Sequence, residues 1–387
     1  MKKTLNIGMV GYKFMGRAHS SGWSRLSVFF DTNCHICMKA ICGRNTEWVR
    51  ESAYKLGWES YETNYEELVK RDDIDIIDIT TPSNFHKDIA IEAANAGKHI
   101  FCEKPLALGL DDAREMVTAV KKTGVKNQIG FNYRTIPAIR LAKKLIKDGR
   151  LGRIFHFRGS YLQDFIIDPD FPLIWRLDKN VAGSGALGDL GAHVIDLARY
   201  LVGEIDTVAA MSKTFIKERP VVQKMQGLSA VAQENADRAK VTVDDATMFM
   251  CEFDNGALGI IESTRFAQGH KNTLSIEING EKGSIRFSLE RLNELEFLDA
   301  TLPVQLQGFS NILATNGEHE FIHAWWPDGH IIGWDHTFVH QFYEFTQAVI
   351  NDTTTSPDFY EGMKCSQVLY AVEKSALEKS WVCVSSL

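Results

Sequence analysis

Two stretches of this chain hold residue types that can move a proton. The first is Glu103-Lys104-Pro105, directly after the short apolar run His99–Cys102. A lysine at the carboxyl end of a buried strand in an open α/β sheet sits at the crevice where such sheets bind ligands. An ammonium half withdrawn from water there can shift its pKa and join proton chemistry. The second is Asp189 and His193, at i and i+4 in the glycine-flanked segment Gly183-Ser184-Gly185-Ala186-Leu187-Gly188-Asp189. On a helix that spacing puts both on one face. The carboxylate would orient the imidazole and favour its charged form, as a general acid/base needs. Each stretch alone has a plainer explanation. Lys104 fits a surface salt bridge, and Asp189 and His193 fit a dipole-compensating acid and a core histidine.

The elements that must position these groups fall into two halves. Apolar runs alternate with helical segments up to residue 131: strands at Leu5–Val10, Ile36–Cys42, Ile74–Ile79, His99–Cys102 and Gln128–Phe131. Helices are expected at Arg17–Leu26, Thr46–Leu56, Tyr65–Val69, Asn84–Ala96 and Asp111–Lys122. That rhythm predicts a doubly wound parallel sheet over residues 1–131, a dinucleotide-binding domain. Residues 132–387 read as an α+β domain with one large, mostly antiparallel sheet. Its expected helices are Pro137–Asp148, Ala186–Leu201, Thr337–Ile350 and Tyr360–Glu378, the last two able to pack back on the first domain. Gln223–Lys240 reads as a loop or short helix between strands.

The first strand–helix turn, Gly11-Tyr12-Lys13-Phe14-Met15-Gly16, carries two of the three glycines of a dinucleotide fingerprint. Gly11 allows the tight turn and Gly16 close helix–strand packing, while the backbone of Lys13, Phe14 and Met15 faces a pyrophosphate. Lys13 replaces the middle glycine and should bulge the approach or meet the phosphate with its ammonium. No acid ends the second strand. Gly43-Arg44 stands there instead, and Arg44 suits a 2′-phosphate, so NAD(P) is expected with a lean to NADP. Thr81, Pro82 and Asn84 end the third strand and cap the next helix where phosphates and ribose would lie, with His86 as a wall of the site. Glu103 and Lys104 complete the cofactor-facing set.

The chain has 387 residues and a net charge of −7, with 44% hydrophobic and 24% charged residues. That balance speaks against nucleic acid or an anionic membrane as partner. No apolar run is long enough to span a bilayer, and no cleavable leader follows the basic start Met1-Lys2-Lys3. Seven scattered cysteines suit a reducing, cytoplasmic compartment. Cys34-His35-Ile36-Cys37 lacks a second ligand pair at zinc spacing, so no metal is expected.

Taken together, Gly11…Gly16-Arg17-Ala18-His19, Thr81-Pro82…His86, Glu103-Lys104-Pro105 and Gly185…Asp189…His193 resemble the glucose–fructose oxidoreductase/inositol dehydrogenase family. The motifs stand in order over almost the whole chain. Asn132-Tyr133-Arg134, Tyr161-Leu162-Gln163-Asp164 and Trp175-Arg176 resemble its sugar dehydrogenases in particular. The resemblance implies hydride transfer between a nicotinamide and a C–OH of a sugar, anhydrosugar or polyol. It further implies Lys104, Asp189 and His193 as the catalytic set, and an open sheet that mediates a homodimer or homotetramer. In that scheme His193 is the base and Lys104 holds the reacting oxygen. Tyr133, Arg134, Gln163, Trp175 and Arg176 are substrate candidates, against inter-domain packing for Trp175 and a salt bridge for Arg134. The aromatic/His cluster His323, Trp325, Trp326, His330, Trp334 and His336 is read as a closing loop or as packing. Alternatives on the same fold are a glycosidase using transient oxidation by NAD, a non-catalytic dinucleotide sensor, and a dehydrogenase for a dihydrodiol.

Overall fold

The structure, a computed structural model, describes residues 3–221, 224–226, 229–231 and 236–387. The chain divides into two compact units. One comprises Met1–Asn132 and Trp334–Ser366, the other Tyr133–Gly333 and Gln367–Leu387.

In the first unit the apolar runs form strands β1 (Lys3–Val10), β2 (Cys34–Cys42), β3 (Ser60–Glu62), β4 (Ile76–Ile79), β5 (His99–Cys102) and β6 (Asn127–Ile129). Helices α1 (Phe14–Phe29), α2 (Thr46–Leu56), α3 (Tyr65–Lys70), α4 (His86–Asn95) and α5 (Leu110–Thr123) alternate with them. The strand order is β3-β2-β1-β4-β5-β6, all parallel, a doubly wound sheet whose order reverses beside β1. Leu5, Ile7, Met9, Ile76, Ile77 and Ile79 are all but inaccessible, as expected when helices cover both faces. The helix His336–Ile350 returns to this unit and lays Phe338 and Phe342 against α1, Phe342 stacking on Trp23 at 3.9 Å. The three-residue edge strand β3 has no counterpart in the sequence reading, since Ser60-Tyr61-Glu62 carries no apolar run.

The second unit is built on a nine-stranded sheet. Its main strands are β7 (Ile154–Leu162), β8 (Ile205–Lys213), β13 (Ala246–Phe253), β14 (Leu258–Thr264), β15 (Thr273–Gly280), β16 (Gly283–Ser288), β17 (Glu294–Asp299), β18 (Ser310–Leu313) and β19 (Val382–Cys383), in the order β18-β17-β16-β15-β7-β14-β13-β8-β19. Its pairs are antiparallel except β7 with β14, which run parallel. The sequence over Ile154–Gln163 alternates like an antiparallel strand; β7 is antiparallel to β15 and parallel to β14. Helices α6 (Pro137–Lys147), α7 (Lys179–Ala182) and α8 (Ala192–Leu201) complete the unit. A Cβ on Gly159 of β7 would sit 2.4 Å from Val194 of α8, so the glycine lets helix and sheet approach closely. The opposite face stays open, with Phe155, Met211, Met248, Met250, Leu258 and Ile260 exposed.

Within Gln223–Lys240, residues 223, 227–228 and 232–235 lie outside the described set, as do Met1 and Lys2 of the basic start. The described remainder holds strands and no helix. β10 (Lys224–Gln226) pairs with β11 (Ser229–Val231), and β12 (Arg238–Lys240) pairs with β9 (Glu218–Pro220). Ladder bonds satisfy the backbone of these described residues, where the sequence reads as a loop or a short helix.

Candidate active site

At the β1–α1 turn the backbone leaves room for a ligand. Gly11 has φ +114°, and a Cβ there would lie 2.4 Å from Thr80 Oγ1; one on Gly16 would lie 2.4 Å from the Gly11 carbonyl oxygen. Lys13 caps α1 without a side-chain hydrogen bond, and the first turn contains no acid. Its amides are thus uncapped by the helix's own side chains, as an anion site requires. Lys13 takes an ordinary negative φ of −81°, so its place in the fingerprint forces no left-handed backbone. Gly43 leaves space for the Tyr12 ring, since a Cβ there would stand 2.0 Å from Cε1. Arg44 lies 5.3 Å from the Phe85 ring centroid, a cation–π distance. Two buried polar atoms on this edge, Thr81 Oγ1 and Asn84 Oδ1, have no hydrogen-bond partner. Native interiors seldom leave such atoms orphaned; a ribose hydroxyl would donate to Asn84 Oδ1, and Thr81 Oγ1 would donate to a phosphate or ribose oxygen. These features fit a dinucleotide. His86 is buried, with Nδ1 2.9 Å from the Pro105 carbonyl oxygen and Nε2 2.9 Å from that of Thr81. It walls the loop, and burial lowers its pKa against the pull of both carbonyls.

Lys104 follows β5 and is partly exposed, while Glu103 before it is 5% exposed. One Glu103 oxygen lies 3.0 Å from His19 Nε2; the other accepts the Lys104 backbone N–H at 3.2 Å. His19 Nδ1 sits 2.9 and 3.0 Å from the two oxygens of Asp78, which also accepts from Trp23 Nε1 at 2.8 Å. Burial would strip the imidazole of its proton, but the two flanking carboxylates outweigh it and push the pKa up to about 10. Glu103, expected to face the cofactor, is thus engaged beneath the surface.

In the second unit the expected helix Ala186–Leu201 begins as a π-helical turn, Leu187–Gly191, before α8. Such turns recur at functional sites. Asp244 caps it: Oδ1 accepts the Gly185 N–H at 2.7 Å, and Oδ2 the Leu187 N–H at 2.8 Å. A Cβ on Gly185 would lie 1.8 Å from the Asp244 carbonyl oxygen, so what packs against this glycine run is the chain's own Asp244. Asp189 opens outward at 29% side-chain exposure. Fully buried Arg265 donates from Nη2 to its Oδ2 at 2.8 Å, and Arg176 Nε lies 3.8 Å away. Burial lowers the Arg176 pKa, and Asp189 counters this.

His193, 7% exposed, stacks on Tyr133 with centroids 4.3 Å apart. The Tyr133 and Tyr161 hydroxyls are 2.8 Å apart, and Tyr161 donates to Asn272 Oδ1 at 2.8 Å. Tyr161 spends its one proton there, so Tyr133 is the donor between them. Gln163 Nε2 donates to the same Asn272 oxygen at 2.8 Å. Burial and the Tyr133 neighbour push the Tyr161 pKa well above the usual phenol range. Trp175 lies under Arg176, guanidinium to ring centroid 4.5 Å. The structure thus gathers Asp189 with Arg176, and His193 with Tyr133. Arg134 instead forms a buried ion pair with Asp196, Nε to carboxylate 2.9 and 3.0 Å and Nη2 2.6 Å. That is the salt bridge weighed against a substrate contact, and it engages Asp196, which stands about one helical turn beyond His193 on α8. The aromatic/His cluster, read as a closing loop or as packing, is divided, since Trp334 and His336 belong to the first unit and His323 to His330 to the second. Trp334 stacks on Phe14 at 5.8 Å.

Asp244, Arg265, Asn272 and Tyr161 escaped the sequence reading as site residues. Each comes from a strand end or connection far along the chain from its partner, so no local spacing betrays it.

Comparison with known proteins agrees with this geometry. Residues 5–131 match the oxidoreductase family with an NAD-binding Rossmann fold, and residues 139–286 match the GFO/IDH/MocA C-terminal domain. The chain belongs to the GFO/IDH/MocA oxidoreductase family. Levoglucosan dehydrogenase of Pseudarthrobacter phenanthrenivorans is 40% identical over 388 aligned residues, covering 100% of this chain and 99% of that protein. Among solved structures, an oxidoreductase domain protein from Kribbella flavida is 46% identical with a TM-score of 0.95, covering 99% of this chain and 100% of that one. A levoglucosan dehydrogenase in complex with NADH and levoglucosan is 40% identical with a TM-score of 0.93 over 99% of this chain and 100% of that one.

Proposed function

We propose that this protein is an NAD-dependent dehydrogenase that oxidises one C–OH of a sugar, anhydrosugar or polyol, or reduces the matching ketone. The observation that carries the reading is the full-length likeness to a levoglucosan dehydrogenase, on a chain whose β1–α1 edge leaves Thr81 Oγ1 and Asn84 Oδ1 for a ligand. Gly11, the amides of Lys13 to Gly16, Gly43, Arg44, Thr81, Pro82 and Asn84 would hold the dinucleotide, which when bound accepts or returns the hydride. His193 takes the hydroxyl proton, its ring plane steadied by the Tyr133 face. Asp189, kept anionic by Arg265, orients His193 and favours its charged form. Lys104 donates to the reacting oxygen and stabilises developing alkoxide charge. Tyr133, Gln163, Trp175 and Arg176 meet the substrate, while Arg134 is engaged by Asp196 in its ion pair.

The test is to incubate the purified protein with NAD or NADP against a sugar and polyol panel and read reduced-nicotinamide absorbance. No reduction with any compound, together with cleavage of a glycoside, would replace this reading by the glycosidase one. Lys104→Met and His193→Ala are each expected to lower turnover by a hundredfold or more, with NADH affinity nearly intact; wild-type turnover in either removes the assigned role. Because Arg44 stands where a ribose acid is usual, NADP was the favoured cofactor from sequence. The relatives solved with NADH lend that lean no support, and we take NAD as the working cofactor. A higher kcat/KM with NADP would reverse this choice. All seven cysteines are free, which suits a reducing cytoplasm, and no described helix is long and apolar enough to cross a membrane. The open face with Met211, Met248, Met250 and Ile260 is a candidate surface for a homodimer or homotetramer, checked by light scattering.

A further inference from the structure

The Asp78–His19–Glu103 cluster has no part in the mechanism above. Buried charge costs free energy unless each group is paired, and here three ionisable groups lie under α1, walled by Phe101, Phe338 and Phe342 at centroid distances of 5.6, 5.3 and 5.2 Å from the imidazole. Asp78 stands on the central strand β4 at 0% exposure, as does His19 on α1. Trp23 adds a fourth polar group, its Nε1 donating to Asp78 at 2.8 Å. A simple structural latch would need only one carboxylate. The second, Glu103, is the residue directly before Lys104, and its far oxygen holds the Lys104 N–H. Gly130 leaves room for this carboxylate, since a Cβ there would lie 2.6 Å from Glu103 Oε1.

We propose that His19 is a positioning residue for Lys104: by bridging Asp78 and Glu103 through both ring nitrogens it fixes the carboxylate that holds the lysine's own amide. The inference rests on the catalytic role given to Lys104. The cluster ties α1, β4 and the end of β5 to one imidazole, so the turn that carries the lysine cannot shift without moving a buried charge. Side-chain chemistry at Lys104 then depends on a residue that touches no ligand.

The experiment is a double-mutant cycle on the full chain. His19→Gln is expected to lower kcat at least tenfold while the Kd for NADH, from fluorescence titration, changes less than threefold. In a Lys104→Met background the same change should cost less than twofold more, because the residue it positions is gone. An equal loss in both backgrounds, or kcat within threefold of wild type, overturns the proposal. Should His19→Gln fail to fold, Glu103→Asp keeps the cluster's charge but shortens its reach by one methylene, and the same pair of outcomes applies. A readout independent of turnover is the NMR signal of Lys104 after reductive ¹³C-methylation, assigned with Lys104→Arg. One narrow resonance in wild type should broaden or split in the variant; an unchanged line overturns the proposal even if the substrate panel shows no activity at all. Absence of wild-type turnover with that narrow line intact would sink the dehydrogenase reading and not this one.

Discussion

The His19 cluster makes a quantitative prediction about stability and pH. In the folded protein the imidazole is raised from 6.5 to about 10. Its folded pKa lies above the unfolded one, so protonation favours the folded state. The contribution is fully present below pH 6.5 and is lost as pH climbs towards 10. At about 1.4 kcal/mol per tenfold change in proton affinity, the full contribution is at most roughly 5 kcal/mol. The groups facing the ring are Asp78 from β4, Glu103 after β5, the Phe101 ring from β5, and the Phe338 and Phe342 rings from His336–Ile350. Cys102 lies close by in charge terms, its thiol pushed well up by burial and by Glu103 and Asp78, so it stays neutral across the range. Urea denaturation of the wild type and of His19→Gln at pH 6.5 and 9.5 isolates the effect. Wild type should lose about 3 to 4 kcal/mol more than the variant over that interval. The variant should be the less stable of the two at pH 6.5, because two buried carboxylates have lost their cation. Equal slopes in the two proteins would refute the assignment of a buried imidazolium.

Arg265→Met removes the 2.8 Å donor to Asp189 while Arg176 Nε stays 3.8 Å away; with the carboxylate partly exposed, the expected cost is about 2 kcal/mol in urea denaturation, with turnover falling in parallel. Arg265→Lys should recover part of the stability and little of the turnover, since one ammonium cannot stand both at Nη2, which reaches Asp189 and the Gly185 carbonyl oxygen, and at Nη1, which reaches the Arg176 carbonyl oxygen. Tyr161→Phe removes the acceptor for Tyr133 and a donor to Asn272, at an expected 1–3 kcal/mol (roughly) in denaturation. In the wild type, Tyr161 should show no phenolate absorbance below pH 10, its pKa lying above that of an ordinary tyrosine; ionisation at or below 10 contradicts the burial argument.

Much of the fold is legible in the residues because its strands are apolar runs bounded by glycine and proline. β1 and β5 fall where Leu5–Val10 and His99–Cys102 place them. The elements that sequence leaves silent are short edges such as Ser60–Glu62 and Val382–Cys383, which owe their existence to a neighbouring strand and not to their own composition. Lys104, Asp189 and His193, the proposed catalytic set, are marked in the sequence by motif and spacing. Arg265 and Asp244 do not, because the sheet brings them to Asp189 and Gly185 from a different stretch of chain. The π-turn at Leu187–Gly191 was equally hidden: the i, i+4 spacing of Asp189 and His193 reads the same in either helix.

That turn also says how this stretch would respond to substitution. Gly185, Gly188 and Gly191 recur every third residue, and each faces a different obstacle: Asp244 at 1.8 Å, Ser184 at 2.3 Å and Ser263 at 3.2 Å from an added Cβ. The first obstacle is backbone and cannot rotate away, the second is a hydroxyl that can, and the third needs only a small adjustment. Tolerance should therefore rise along the run. A saturating library selected for folding would return glycine alone at 185, glycine with occasional alanine at 188, and small residues freely at 191, a gradient read from one turn of backbone.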